Sequence, residues 1–203
     1  MNYLYRMTHI SNIPHILRYG ITHRTSVNAN PAYLAIGASS IIQKRNEKSV
    51  ETVAEETFVP GDFIPFYFYV RMPMLYNIQH GYGVEQVSPE NIVYLIVALK
   101  PITDDDKRIY YFSDGHAISG MTHFYGKESI DRIDEILDKR SILNNDWGND
   151  YEVRERKQAE FLIRGDIPFD YVTGICCYND DAREKLLEMG VRCRIIIKPD
   201  AYY

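Results

Sequence analysis

Residues Ile92–Leu99 (IVYLIVAL) form an almost unbroken apolar run, closed by Asn91 on one side and Lys100-Pro101 on the other. The run is far too short to span a membrane, which takes about 20 apolar residues. Its length and its β-branched content make it a strand, and the lack of polar alternation makes it a strand buried on both faces. A chain built around such a strand must supply apolar layers on each side of it. With 203 residues this one is long enough to do so as a single domain over 1–203, with neither a disulfide nor a structural metal.

The flanking material is a mixture. Tyr3–Met7 alternates as a strand, and Ser11 is placed to cap a helix with Pro14 in its first turn and Gly20 as its stop. A second helix is expected over Ile36–Lys44. Phe63–Val70 reads as an aromatic strand that Pro73 must break. Tyr67 and Tyr69 then face away from Phe66 and Phe68, because strand side chains alternate. Ile109–Phe112 is a further strand, followed by the turn Ser113–His116, and Ser129–Leu137 is helical by spacing. Residues 141–152 are rich in Asn and Asp and read as a loop. Gln158–Ile163, Val172–Tyr178 and Cys193–Ile197 are strands, and a helix over Asp181–Met189 stops at Gly190. Strands and helices do not alternate regularly, which places the chain in the α+β class.

Composition excludes several functions. No GxGxxG or GxxxxGK[ST] string occurs, so neither a dinucleotide fold of the Rossmann type nor a P-loop is present. HExxH and CxxC are also absent, and Cys176, Cys177 and Cys193 lack metal-ligand spacing, so no metal is expected. A net charge of −5 leaves no general duplex-binding footprint. Contacts to nucleic acid would have to be local, through short clusters such as Lys44/Arg45/Lys48 and Arg154/Arg156/Lys157. Seventeen tyrosines against one tryptophan supply flat rings that pack strands or stack on bases. The N-terminus MNYLYRMTHI has no long apolar segment, and a cytoplasmic location without membrane attachment is the expectation.

Glu160 is the chemically loaded residue. It sits in KQAEFLIRG on a half-buried strand, where a carboxylate is either held by an arginine or placed for work. His9 follows a strand and precedes a helix, a position that offers an imidazole to a ligand or simply completes a turn. Arg45 and Arg154 have the fork geometry that grips a pyrophosphate, and His116 stands in a turn as a candidate acid or base.

Taken together, the strings THISNIPHILRYGI, IIQKRNEKSV, FIPFYFYVRMPMLY, IYYFSDGHA and RERKQAEFLIRGDIP resemble, in that order over roughly residues 3–170, the DarT-type DNA ADP-ribosyltransferase toxins. The resemblance implies a compact ADP-ribosyltransferase fold, a split pair of β-sheets around an NAD⁺ cleft with peripheral helices. It implies Glu160 as the catalytic glutamate, Arg45 as a catalytic-site arginine contacting the cofactor's phosphates or the incoming DNA, and His116 as the active-site histidine, with His123 as the alternative. His9, Asn12, Tyr67, Met74 and Arg154 would hold NAD⁺ or position substrate. The implied acceptor is a thymine or guanine base of single-stranded DNA, and the implied partner is an antitoxin that hydrolyses ADP-ribosyl-DNA. Arg71-Met-Pro-Met departs from the commoner RSPMLY string and bears on which base is modified.

Two rivals stand beside this. Glu155-Arg-Lys157, with Asp146 or Asp150 upstream, has the (D/E)xK form of a metal-dependent nuclease. A nucleotide- or DNA-binding module without turnover would keep the same fold.

Overall fold

The computed structural model describes residues 1–148 and 150–203. The apolar run becomes β5 (Ile92–Ala98), lying antiparallel between β1 (Tyr3–His9) and β9 (Val172–Cys177). Its two faces feed two different cores. Val93, Leu95 and Val97 pack with Leu4, Ile13, Phe66 and Phe161, whereas Ile92, Tyr94 and Ile96 pack with Val70, Leu75, Ile78 and Tyr202.

In chain order the remaining strands are β2 (Val50–Glu51), β3 (Thr57–Phe58), β4 (Phe63–Tyr67), β6 (Tyr110–Ser113), β7 (Phe124–Tyr125), β8 (Glu160–Arg164) and β10 (Arg194–Ile197). The α-helices are α1 (Ile13–Tyr19), α2 (Ser39–Glu47), α3 (Pro73–His80), α4 (Leu99–Thr103), α5 (Ile133–Ile136), α6 (Lys139–Leu143), α7 (Tyr151–Lys157) and α8 (Asp180–Glu188). Among the described residues the main sheet has eight strands in the order β10-β9-β5-β1-β4-β8-β6-β7. The β9/β10 pair is parallel and is bridged by α8, as a parallel connection requires.

The sheet is weakest at its middle. β1 and β4 share the single register pair Tyr5↔Tyr67, while β1 pairs with β5 along its whole length and β4 pairs with β8 from Phe63↔Arg164 to Tyr67↔Glu160. The split pair of sheets is therefore one continuous sheet of two halves that part along the β1/β4 seam.

Local expectations shift in instructive ways. Ser11 does not cap α1. A 3₁₀ turn over Ile10–Asn12 comes first, and the His9 imidazole caps it by accepting the Ser11 N–H at 3.1 Å. Gly20 does stop the helix, at φ 78°. The second helix runs Ser39–Glu47 rather than Ile36–Lys44. β4 ends at Tyr67, and the chain turns through Arg71, at φ 55°, before Pro73 opens α3. Phe66 and Phe68 are buried as expected. The helix over Ser129–Leu137 is a 3₁₀ segment, Lys127–Arg132, leading into α5.

Within the loop expected over residues 141–152, Asn149 lies outside the described residues. α6 and α7 occupy its ends, capped by the side chains of Asp138 and Asp150. Composition misread these aspartates because the same residue type that makes loops also accepts the orphan N–H groups of a helix start.

Candidate active site

β8 starts with Glu160, opposite the last residue of β4. Glu160 lies on the face of Leu162, away from Phe161 and Ile163, and its side chain is 1% exposed. Burial at that depth requires partners. Oε2 accepts a hydrogen bond from Arg45 Nη1 at 2.6 Å, and Oε1 faces the Ala117 N–H at 3.4 Å. The Glu160 N–H donates to Ser113 Oγ, which in turn donates to the Gly115 carbonyl, so one serine ties the strand to the turn that bears His116.

Arg45 comes from the last turn of α2. Close approach of the Pro60–Asp62 turn holds that helix in place, because a Cβ on Gly61 would sit 2.7 Å from Asn46 Cα and 2.8 Å from the Arg45 carbonyl. Lys48, just beyond α2, donates to the Ile118 carbonyl and fastens the helix end to the His116 turn. The ion pair thus joins α2 to β8, and the Pro60–Asp62 turn and the His116 turn, both distant in sequence, hold it in place.

Around it opens a cavity of about 410 Å³, at the seam between β1 and β4. That volume lies within the range of small-molecule sites. Arg6 and Met7 of β1 and Pro65 and Tyr67 of β4 form the floor, with Met74 and Ile78 of α3 to one side. The segment 22–38 forms the outer wall. Asn12 holds that wall: its amide donates to the Leu34 carbonyl and to Thr8 Oγ1, and its oxygen accepts the Leu34 N–H, each at 2.9 Å. Three arginines, Arg6, Arg24 and Arg45, line the cavity against the one carboxylate of Glu160, and Arg45 Nη2 is buried with no hydrogen-bond partner among the described residues.

Electrostatics tune the neighbours of Glu160. Burial, and then the Glu160 charge, hold the Tyr67 phenol well above its ordinary range, so Tyr67 keeps its proton. Burial lowers the His116 pKa, and this outweighs the opposite pull of Glu160. The imidazole is therefore neutral at pH 7.

Of the residues singled out in the sequence, Glu160, Arg45, His116, Tyr67 and Met74 meet at the cavity. Asn12, His9 and Arg154 are not among the residues lining it. Asn12 acts on the wall from behind, the His9 ring caps a turn, and the Arg154 guanidinium lies 5.4 Å from the Tyr151 ring centre on α7. His123 is largely exposed and bonded to Asp114. Sequence reasoning missed Arg6, His23 and Tyr33. Arg6 carried a signal, an arginine in mid-strand, and it is satisfied by the Pro65 carbonyl at 2.8 Å and approached by the Tyr33 hydroxyl. His23 and Tyr33 sit in irregular backbone and gave none.

The (D/E)xK triplet lies on α7 and at its end, and Lys157 is buried with its amine donating to the Ile142 carbonyl. Among the described residues no group of three or more His, Cys, Asp or Glu converges as a metal site. No helix among them is long and apolar enough to cross a membrane.

Comparison with known proteins gives a consistent picture. A curated DNA ADP-ribosyl transferase of Escherichia coli O127:H6 is 33% identical over 186 residues, 90% of this chain and 83% of that protein. The structure of Thermus sp. 2.9 DarT in complex with ADP-ribosylated ssDNA superposes with a TM-score of 0.84 at 28% identity, covering 99% of this chain and 96% of that one. The same protein with NAD⁺ gives a TM-score of 0.81. A Thermosipho africanus DNA ADP-ribosyl transferase–DNA ADP-ribosyl glycohydrolase fusion protein is 28% identical over 97% of this chain, which spans 48% of the fusion. The family model described as "ssDNA thymidine ADP-ribosyltransferase, DarT" matches residues 5–203, and the chain belongs to that family.

Proposed function

We propose that residues 1–203 act as one ADP-ribosyltransferase domain that moves ADP-ribose from NAD⁺ to a base of single-stranded DNA, releasing nicotinamide. The observation that carries this is the buried Glu160 carboxylate, bridged to Arg45 at 2.6 Å on the wall of a cavity that holds three arginines. Family membership supplies the reaction class, and its description names thymidine as the acceptor.

Each residue then has a task. Arg6 and Arg24 face the negative charge of the pyrophosphate, the anion that guanidinium forks suit best. Tyr67 and Met74 form the wall against the nicotinamide ring. When the bond between ribose C1′ and the nicotinamide nitrogen breaks, its electron pair leaves with nicotinamide, and positive charge spreads over C1′ and the ring oxygen. Glu160 stabilises that charge from a site that needs little reorganisation. The attacking base nitrogen bonds to C1′, and its proton passes to Glu160 as general base. Arg45 fixes the carboxylate in place, and neutral His116 offers a hydrogen bond to the incoming base. His9, Asn12 and Arg154 serve from outside the cavity wall, Asn12 by holding the segment over NAD⁺ and Arg154 toward the acceptor strand.

A base inside a duplex is shielded, so a single strand or an extruded base is the substrate. The cytoplasm, where NAD⁺ and single-stranded DNA occur together, is the place of action. A hydrolase that removes ADP-ribose from DNA is the fitting partner, a pairing that the Thermosipho fusion joins in one chain. Nicotinamide release, followed by chromatography with no DNA, with duplex and with single strands, tests the assignment. Release that requires single-stranded DNA is expected, and release equally fast without DNA would replace transfer by simple NAD⁺ hydrolysis.

A further inference from the structure

Helix α3 has two functional faces. Met74 and Ile78 point to the cavity, while Tyr76 and His80, two residues on from each, lie about 200° around the helix. On that far face Tyr76 joins an aromatic cluster that the transfer chemistry does not use. The Tyr76 ring meets His80 at 4.1 Å, Trp147 edge-on at 5.7 Å and Tyr203 edge-on at 5.1 Å. Tyr82 stacks flat on His80 at an interplanar angle of 14°, and both are exposed.

Tyr203 organises the group. Its hydroxyl accepts the Trp147 indole N–H at 2.6 Å and donates to the Arg71 carbonyl at 2.6 Å, and the Arg71 guanidinium lies 4.5 Å from the Tyr203 ring centre. Arg71 Nε is buried with no hydrogen-bond partner among the described residues. Packing explains Tyr203 but not the outer rings, since Tyr82 and His80 bury little against the core. An indole held by its N–H, exposed flat rings and a ring-stacked guanidinium whose Nε lacks a hydrogen bond among the described residues are the components of a single-strand stacking platform. Trp147 also lies on the segment that leads through α7 to Glu160.

We infer that this cluster is a subsite for the acceptor strand, with a base flanking the target nucleotide stacked on the Trp147/Tyr76/Tyr82 rings and the backbone phosphate toward Arg71. One helix width, about 10 Å, separates the cluster from the cavity. An extended strand covers that distance in one or two nucleotides. The inference rests on the proposed DNA transfer reaction and specifies where the strand runs.

Trp147 is the sole tryptophan of the chain, so indole emission reports on this cluster alone. Titrating the protein with a single-stranded oligonucleotide should quench it saturably, while NAD⁺ alone and the matching duplex leave it unchanged. Trp147→Ala and Tyr82→Ala should each raise the oligonucleotide KM about tenfold with the NAD⁺ KM within about twofold. Tyr203→Phe, which frees the indole N–H and the Arg71 carbonyl, should do the same to a smaller extent. Emission that stays constant while the oligonucleotide saturates transfer, or a Trp147→Ala enzyme with wild-type oligonucleotide KM, overturns the subsite and leaves the reaction standing. If Trp147→Ala does not fold, the exposed Tyr82→Ala variant and the emission of the intact protein decide. Saturable quenching without transfer to any oligonucleotide keeps the subsite and sinks the reaction; neither quenching nor transfer overturns both.

Discussion

Charge, burial and partner count at single residues decide how this site works. Glu160 is so deeply placed that its burial depends on Arg45. Removing one member of a buried ion pair leaves the other uncompensated, so Arg45→Ala should cost about 3 kcal/mol or more of unfolding free energy. Chemical denaturation measures that loss, and a wild-type midpoint would show that Glu160 finds another partner. Arg45→Ala paired with Glu160→Gln should lose much less than the sum of the two, because the charge needing the arginine is gone.

His116 makes a pH prediction. Its folded pKa lies below the ordinary 6.5, so the unfolded chain binds its proton more readily than the native chain. The stability this gives is present above about pH 6.5 and is lost as pH falls through that value toward the lowered folded pKa. Unfolding free energies from pH 7 to 5 should fall less steeply in His116→Asn than in the wild type, and parallel slopes would contradict the assignment.

Glu160 and His116 were both legible as candidates from sequence, but the contacts that hold them were not. A carboxylate on an apolar strand announces a partner without naming it, and Arg45 lies 115 residues away.

At the scale of elements, the site is held by contacts that sequence patterns do not encode. Segment 22–38 has no regular structure to read, yet Asn12 pins it at Leu34 with two hydrogen bonds and is itself braced by a third to Thr8. Asn12→Ala should cost about 1–3 kcal/mol through the Leu34 groups left unpaired. It should also raise the KM for NAD⁺ more than that for DNA. An unchanged NAD⁺ KM in steady-state kinetics would show that the wall needs no staple.

Gly61 is a second such contact. Its φ is ordinary, but any side chain there meets the backbone of α2. Gly61→Ala should displace Arg45 and lower kcat about tenfold or more, whereas full activity would show that α2 can retreat without moving the ion pair. The elements that the sequence predicted well, β5 and α8, are those fixed by their own patterns, a two-sided apolar run and a stripe ended by Gly190 at φ 90°. Those it predicted poorly, the 141–152 loop and the 3₁₀ turn after His9, are set by caps and by tertiary contacts.

For the whole molecule, the sheet is continuous but parts where it is most useful. β1 and β4 meet at one pair, Tyr5↔Tyr67, and beyond that pair the strands diverge to make room for the cavity. The Glu160 carboxylate stands at the start of β8 next to that gap, so the same seam makes both the pocket and the candidate site. Composition and period gave the α+β class and the buried centre. The order of strands, with β5, β1 and β4 adjacent although far apart in sequence, came only with the structure, because nothing in local pattern specifies which strands pair across the chain.

In the proposed function, Glu160 drives transfer of ADP-ribose to single-stranded DNA. The most direct measurement is the mass of short single-stranded oligonucleotides after incubation with NAD⁺ and either the wild-type protein or Glu160→Gln. One added ADP-ribose on a thymine-containing strand, lost by about a hundredfold or more with Glu160→Gln, is the predicted result. Strands that keep their mass with the wild-type protein, or gain it equally with the variant, would contradict it.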